Sequence, residues 1–396
     1  MNSEEISLSG YNFSSLSGYI WHPDTEPQAI VLMEHGIGEH IGIYQDWAAR
    51  FCAQGFIFAG FDLRGHGLSS GKRGHVPGKA AVFDINAIVK YLNEMYPLLP
   101  IYLYGHSFGG NAVLYYALKY PASPISGIVA SSPTLEVAPP AHQTLTKMAG
   151  LLVHIMPMAT FKIGMKSSDL TEREAEEEKK KAMTVPAVPV KPEEKTEEEN
   201  GEENEKPEDD AEEIAAGEDA QDKNSTDDPL LHQYMSVKTY YDMTRQAKEI
   251  LNATAADFHV PVLVMHGVDD PLALQLGSVQ LATHLGKRAQ LKLWKRAKHE
   301  LHRESIAGEV FACVLQWIVR QLPAARAAIE KRLAEARAAE ERARAEAEAA
   351  AAAEAAAKAE AEAAEAAAKA EAEAAEAAAN AEAESAPSAS GTEPVA

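Results

Sequence analysis

Only two cysteines, Cys52 and Cys313, occur among 396 residues. Each lies in an apolar context that reads as a helix interior, and no C-x-x-C spacing occurs. The pair argues against both a disulfide framework and a metal site. No apolar run approaches the ~18 residues that cross a bilayer. The first residues, MNSEEISLSG, lack the basic and apolar regions of a secretory signal. Basic side chains are nowhere clustered enough to suggest nucleic acid as a partner. These absences predict a soluble, cytoplasmic protein without a cofactor, with peripheral contact at a membrane surface left open.

Positive charge is also scarce overall, giving a formal net charge of −22. The deficit is local. Residues 171–228 carry 23 acidic and 8 basic side chains, and residues 324–396 carry 16 and 8. The remaining body is close to neutral. Acidity of this kind belongs to solvated, self-repelling segments and not to an enzyme field.

From residue 29 to 134 short apolar runs alternate with helical stretches. Ile30–Met33, Phe56–Phe61, Ile101–Tyr104 and Ile125–Ala130 read as buried strands. Tyr44–Gln54, Lys79–Tyr96 and Gly109–Tyr120 read as the helices between them. Such alternation implies an α/β fold, a mostly parallel sheet with helices on both faces. Segments around Ile6–Leu8 and Tyr19–Trp21 suit antiparallel edge strands. The rhythm resumes with strand Val262–Met265, helix Gln275–Leu285, strand Gln290–Trp294 and a closing helix from about Arg303 to Gln321. Residues 1–135 and 256–322 thus form one core, and 136–255 form a cap inserted into it. Within the cap, His142–Met156 is an amphipathic helical stretch. Its stripe of Leu145, Met148, Leu151, Leu152 and Ile155 suits either packing onto the core or the lining of an acyl-chain tunnel that partly faces a membrane surface. The tract 171–228 has too few large apolar residues to offset its chain entropy, which predicts disorder.

After Pro323 the composition changes to Ala, Glu, Lys and Arg. AEAEAAEAAAK at 359–369 is followed by AEAEAAEAAAN at 370–380. These are strong helix formers without a breaker, so 323–384 reads as one long Ala/Glu-rich C-terminal helix. With only alanine as a seam, it suits a solvated spacer; its partner, if any, is unspecified. Residues 385–396 read as a disordered end.

Gly105-His106-Ser107-Phe108-Gly109 is a G-x-S-x-G motif after the strand IYLY and before a helix. This strand–turn–helix context is that of a nucleophile elbow. A serine hydroxyl is a weak nucleophile and needs a base, which needs an orienting acid. In this fold both partners follow the serine, each just after a strand, acid first. VLVM leads into His266-Gly267-Val268-Asp269-Asp270, and QLKLW leads through Lys295 to His299. Spacing alone allows either Asp269 or Asp270. The amide of Phe108 supplies one oxyanion donor, and the loop His35-Gly36-Ile37-Gly38-Glu39-His40 offers the Ile37 amide as the second. His35 and His40 are better read as loop braces. With serine at the elbow, an aspartate-nucleophile dehalogenase is excluded.

HGIGEH, FDLRGHGLSSG, GHSFGG, HGVDDPLA and KHELHRE, in this order, resemble the monoacylglycerol lipase and lysophospholipase (serine aminopeptidase S33-like) branch of the α/β-hydrolases, over roughly 1–322 apart from the acidic tract. The resemblance implies the α/β-hydrolase fold with a helical cap. It selects Asp270 as the acid and His299 as the base of Ser107. It also implies that Glu39 and His302 line a head-group pocket. Where the family carries an Arg at the end of the first loop, this chain has Ile43, which removes a glycerol contact. Asp62, Arg64, His66 and Ser69 belong to a loop shared across the branch and read as bracing. The expected activity is hydrolysis of a carboxylic ester, most simply a lipid ester with one medium or long acyl chain. A small-ester esterase, thioesterase or peptidase, or an inactive body that scaffolds through its tail, are the alternatives.

Overall fold

The computed structural model describes residues 1–137, 148–163 and 228–384. The expectations of disorder over 171–228 (its last residue apart) and over 385–396, and of helix over the first half of His142–Met156, lie outside the described residues. The chain forms two compact units, Met1–Arg326 and Ala327–Ala396.

In the first unit, eight strands form one sheet in the order β1-β2-β4-β3-β5-β6-β9-β10. The strands β3 (Ile30–Glu34), β4 (Ile57–Phe61), β5 (Ile101–His106), β6 (Ile125–Ser131), β9 (Val262–Gly267) and β10 (Ala289–Trp294) run parallel to their sheet neighbours within this group. β3, β4, β5 and β9 are buried along their whole length, as continuous apolar runs between two helical layers must be. β1 (Asn2–Ser9) and β2 (Ser15–His22) form the expected antiparallel hairpin at one edge. β1 is mostly exposed, and its polar residues blunt that edge.

Helices α2 (Gly78–Met95) and α3 (Phe108–Lys119) contribute Ile85, Val89, Leu114 and Tyr116 to one apolar cluster. Helix α1 (Gln45–Ala53) and the start of α6 (Ala307–Glu384) contribute Trp47, Phe51, Val314 and Trp317 to the other. The two clusters lie on opposite faces because successive side chains of a strand alternate: Ile30 and Leu32 enter the first, Val31 and Met33 the second.

The connection from β6 to β9 carries the cap residues. Its described parts are a short helical segment from residue 148, the antiparallel pair β7 (Thr160–Lys162) and β8 (Tyr234–Ser236), and α4 (Val237–Leu251). Ser236 caps α4 by accepting from the Thr239 amide at 3.1 Å. Of the expected apolar stripe, Leu152 packs against the core and Leu145 lies outside the described residues. Ala149 and Val153 are buried, whereas Met148, Leu151 and Ile155 are exposed.

Helix α5 (Gln275–Leu285) matches its expected span. The closing helix does not. Instead of ending near Gln321, α6 continues through Pro323 to Glu384. Proline removes the donor for the Val319 carbonyl and costs about 3 kcal/mol in a helix interior. Val319 is exposed, so water can take that carbonyl, and the stripe Val310, Val314, Ile318, Leu322 and Ala325 stays buried across the proline. Packing of that stripe outweighs the local preference. The second unit by itself is helix as far as Glu384. Its ion pairs include Lys331–Glu335, Arg344–Glu348 and Lys358–Glu362, all with the basic residue first, the weaker orientation on a helix.

Phe51 is fully buried and stacks on Phe58 with ring centroids 5.5 Å apart, and Phe311 packs edge-on at 4.9 Å. Phe51→Ala should therefore destabilise the protein by about 3–5 kcal/mol in denaturant titration; a loss under about 1 kcal/mol would contradict this packing.

Candidate active site

β5 ends in a turn that enters α3 with Ser107 at φ 55° and ψ −115°. A non-glycine residue pays on the order of 1–3 kcal/mol for such backbone. The flanking glycines make room for it. A Cβ on Gly105 would lie 2.3 Å from the Gly109 carbonyl oxygen, and one on Gly109 would lie 2.0 Å from that of Glu34. Backbone hydrogen bonds hold the turn: the Ser107 amide donates to Ser131 at 3.0 Å, and the Thr134 amide donates to Ser107 at 3.1 Å.

Two further strand ends converge on this serine. After β9, Asp270 Oδ1 accepts from the amides of Leu272 and Ala273, at 2.8 and 3.0 Å. Its Oδ2 lies 2.7 Å from His299 Nδ1, on the loop after β10. His299 Nε2 lies 2.8 Å from Ser107 Oγ. Asp269 is exposed and its amide donates to the Ala297 carbonyl. The structure thus brings Ser107, His299 and Asp270 together and leaves Asp269 outside.

Burial opposes ionisation of both Asp270 and His299, but each sustains the other's charge. For Asp270, burial raises the pKa, yet His299 and His266 outweigh it and hold the carboxyl below the usual carboxylate range. For His299, burial lowers the pKa, and the Asp270 carboxylate, with help from Glu300 and Glu39, raises it above the ordinary value. The neighbouring rings differ: burial holds His106 and His302 well below the ordinary histidine value.

The loop after β3 is heavily braced. His35 Nε2 accepts from the Leu63 amide at 3.0 Å, so its Nδ1 donates to the Gly36 carbonyl at 2.8 Å. Asp62 accepts from the amides of Ile41 and Leu68, and Ser69 donates to the Asp62 carbonyl. Arg64 pairs with Asp84 at 2.7 Å, and His66 lies 3.1 Å from the Arg64 carbonyl. His40 Nε2 lies 2.8 Å from Asp228, which ties the loop to the cap. The His232 amide donates to Gly38, whose φ of 85° and close approach to that segment both exclude a side chain. The amides of Ile37 and Phe108 have no acceptor among the described residues. Both residues line the same cavity as Ser107.

That cavity has a volume of about 270 Å³. Phe161, Ile163, Met235, Tyr240, Met243 and Leu272 form much of its wall, with Glu39, Thr134, Lys162 and Glu300 as polar members. Glu39 lines this cavity beside Ser107. Burial raises its pKa, but the His302 and His35 rings, the Gly36 amide and the Tyr44 hydroxyl outweigh it and hold the carboxyl below its ordinary value. The amide and the hydroxyl both donate to it, each at 2.8 Å. His302 is not among the lining residues; it stacks on Tyr44 at 4.9 Å, and its carbonyl accepts from Trp47. Ile43 is also absent from the lining and packs against the apolar cluster beneath α1. The cap residues Phe161, Lys162 and Met235 and the post-β6 residue Thr134 were not singled out from sequence. They carry no motif, and only the path of the connection from β6 to β9 brings them to the serine.

Residues 25–306 match the family model described as serine aminopeptidase, S33. The chain belongs to this family. An uncharacterized abhydrolase domain-containing protein of Dictyostelium discoideum is 28% identical over 82% of this chain and 30% of its own length. The monoacylglycerol lipase of Mycolicibacterium smegmatis is 34% identical over 38% of this chain and 55% of its own. The chain therefore spans about half the length of these curated relatives, or less. The crystal structure of the Paleococcus ferrophilus monoacylglycerol lipase is similar to it with a TM-score of 0.56 at 25% identity, covering 77% of this chain and 99% of that one. S33-family membership and this likeness agree with the sheet order in giving an α/β-hydrolase fold. Among the described residues, no helix is long and apolar enough to cross a membrane.

The bracing of this S33-type loop can be measured. His35→Ala removes the acceptor of the buried Leu63 amide, which should cost about 1–3 kcal/mol of stability. Denaturation equal to that of the unaltered protein would show that His35 is not a brace.

Proposed function

We propose that the protein is a serine hydrolase of carboxylic esters, acting on lipid esters with one medium or long acyl chain such as monoacylglycerols or lysophospholipids. The observation that carries this reading is the unbroken chain Asp270–His299–Ser107, at 2.7 and 2.8 Å, beside a cavity with mainly apolar walls. In this reading His299, oriented by Asp270, removes the proton of Ser107 as its Oγ attacks the ester carbonyl. The amides of Ile37 and Phe108 stabilise the oxyanion. The alcohol leaves with the proton from His299, and water then releases the acid from the acyl-enzyme by the same route. No cofactor takes part.

Phe161, Ile163, Met235 and Met243 support an acyl chain as the part of the substrate bound there. Glu39 and Lys162 offer the polar contacts for its head group; the loop supplies no cation, since Ile43 stands where the family has Arg. The exposed Met148, Leu151 and Ile155 of the cap support contact with the lipid surface that holds such substrates. The C-terminal helix reads as a solvated spacer. The family's description as aminopeptidase points to a second reading, in which Glu39 or Glu300 holds a substrate ammonium. Glu39 is already engaged by Gly36 and Tyr44, which favours the ester.

A fluorophosphonate probe and a series of esters of varied chain length test the proposal. Ser107→Ala should abolish labelling and turnover. Asp270→Asn should lower kcat by about 10³–10⁴-fold, while Asp269→Asn should leave it within about twofold. Equal loss in both Asp variants, with both proteins folded, would overturn the assignment.

The pH dependence follows from the sign of the His299 shift. The base works only when neutral, and its pKa is raised. Log kcat/KM should therefore fall as pH drops, with a midpoint above the ordinary histidine value of about 6.5. A midpoint below 6 would contradict the Asp270–His299 electrostatics.

A further inference from the structure

Ser107 Oγ has a second neighbour besides His299. The Thr134 hydroxyl lies 3.3 Å away, on the loop after β6. Distance alone leaves the direction of this hydrogen bond open, but proton accounting fixes it. His299 Nδ1 faces the Asp270 carboxylate at 2.7 Å and so carries its ring proton. In the neutral ring Nε2 is then the acceptor, and the Ser107 proton points to it across 2.8 Å. Ser107 has one proton and has used it. The contact with Thr134 must therefore run from the Thr134 hydroxyl to a lone pair of Ser107 Oγ.

Thr134 is built into this position. Its amide donates to the Ser107 carbonyl at 3.1 Å. Its own carbonyl accepts from Asn111 Nδ2 at 2.9 Å, and the same Nδ2 donates to the Met243 carbonyl of α4 at 3.2 Å. Asn111 is buried on α3, one turn after the serine. Both backbone groups of Thr134 are thus held by the elbow and its helix. Among the described residues, Ser107 Oγ is the side-chain partner of its hydroxyl.

We propose that Thr134 is a further catalytic residue, a hydroxyl donor that stabilises Ser107 Oγ as negative charge develops on it. The inference rests on the ester-hydrolase reading above. In the attack, the Oγ–H bond breaks and its proton passes to His299 Nε2. An electron pair of Oγ forms the bond to the acyl carbon, and the carbonyl π pair moves to the oxygen held by Ile37 and Phe108. Thr134 keeps its own proton throughout. At 3.3 Å its bond to a neutral hydroxyl is long and weak; bonds to charged oxygens are shorter and about twice as strong. The interaction is therefore stronger in the transition state than in the resting enzyme, which is the condition for accelerating the step. The departure of Oγ from the acyl-enzyme is the same event reversed and gains in the same way.

Two near-isosteric substitutions separate this role from packing. Thr134→Val keeps the shape and loses the hydroxyl; Thr134→Ser keeps the hydroxyl and loses the methyl group. In the full-length protein, Thr134→Val should lower the second-order rate constant for fluorophosphonate labelling and kcat/KM for a p-nitrophenyl ester together, by about tenfold. Thr134→Ser should stay within about twofold of the unaltered protein, and the pH midpoint should be the same in all three, since His299 is untouched. If Thr134→Val fails to fold, Thr134→Ala, which also lacks the hydroxyl, takes its place against Thr134→Ser. Rates that track shape, with Val unimpaired or Ser as impaired as Val, would overturn the role of Thr134 while leaving the triad standing. An unaltered protein that neither labels nor turns over esters would overturn the ester-hydrolase reading, and this inference with it.

Discussion

The site depends on one backbone conformation, the left-handed φ of 55° at Ser107. It lifts the serine out of β5 before α3 begins, so that Oγ meets side chains from other strand ends and not the interior of the sheet. Nothing about serine favours it. It persists because Gly105 and Gly109 let neighbouring backbone come within distances that a Cβ would forbid, and because Ser131 and Thr134 bind the two backbone groups of Ser107. A strained residue is retained only when its surroundings over-determine it. Here the surroundings are the parallel sheet itself: β3, β5 and β6 set the spacing into which the turn fits.

The same sheet accounts for the convergence of residues far apart in sequence. Ser107, Asp270 and His299 follow β5, β9 and β10, all parallel, so each lies at the same end of the sheet. The strand order places β6 between β5 and β9, and the residue just past β6 is therefore brought beside Ser107. Thr134 occupies that place for a topological reason, whatever its chemistry.

What was legible in the sequence was what local patterns encode. The buried strands appear as uninterrupted apolar runs, and the elbow glycines appear because steric exclusion leaves no other residue type. The choice between Asp269 and Asp270 was not legible from spacing, since both follow the same strand; it needed the family resemblance, and only the pleat and turn show one of them facing His299. The cap wall was illegible for another reason. Phe161, Met235 and Met243 are ordinary apolar residues, and their place in the cavity is set by long-range pairing of β7 with β8 and by the seating of α4. The end of the closing helix, expected near Gln321, was misplaced for the opposite reason. A local signal for helix termination was overridden by the buried stripe from Val310 to Ala325, a case of tertiary packing outweighing propensity.

Electrostatics then separates one histidine from its neighbours. His106 lies beside both His299 and His302, with ring centroids 5.1 and 4.8 Å away. All are buried, and burial alone would leave all three neutral and weakly basic. His299 differs because Asp270 faces its Nδ1, and Asp270 can remain ionised in that buried place because two backbone amides and two imidazoles surround it. The neutral His106 and His302 add no cation that would compete for the Asp270 carboxylate or drive the proton off His299. A cluster of similar rings thus holds one more basic than the others, and that ring is the one whose other nitrogen reaches the strained serine.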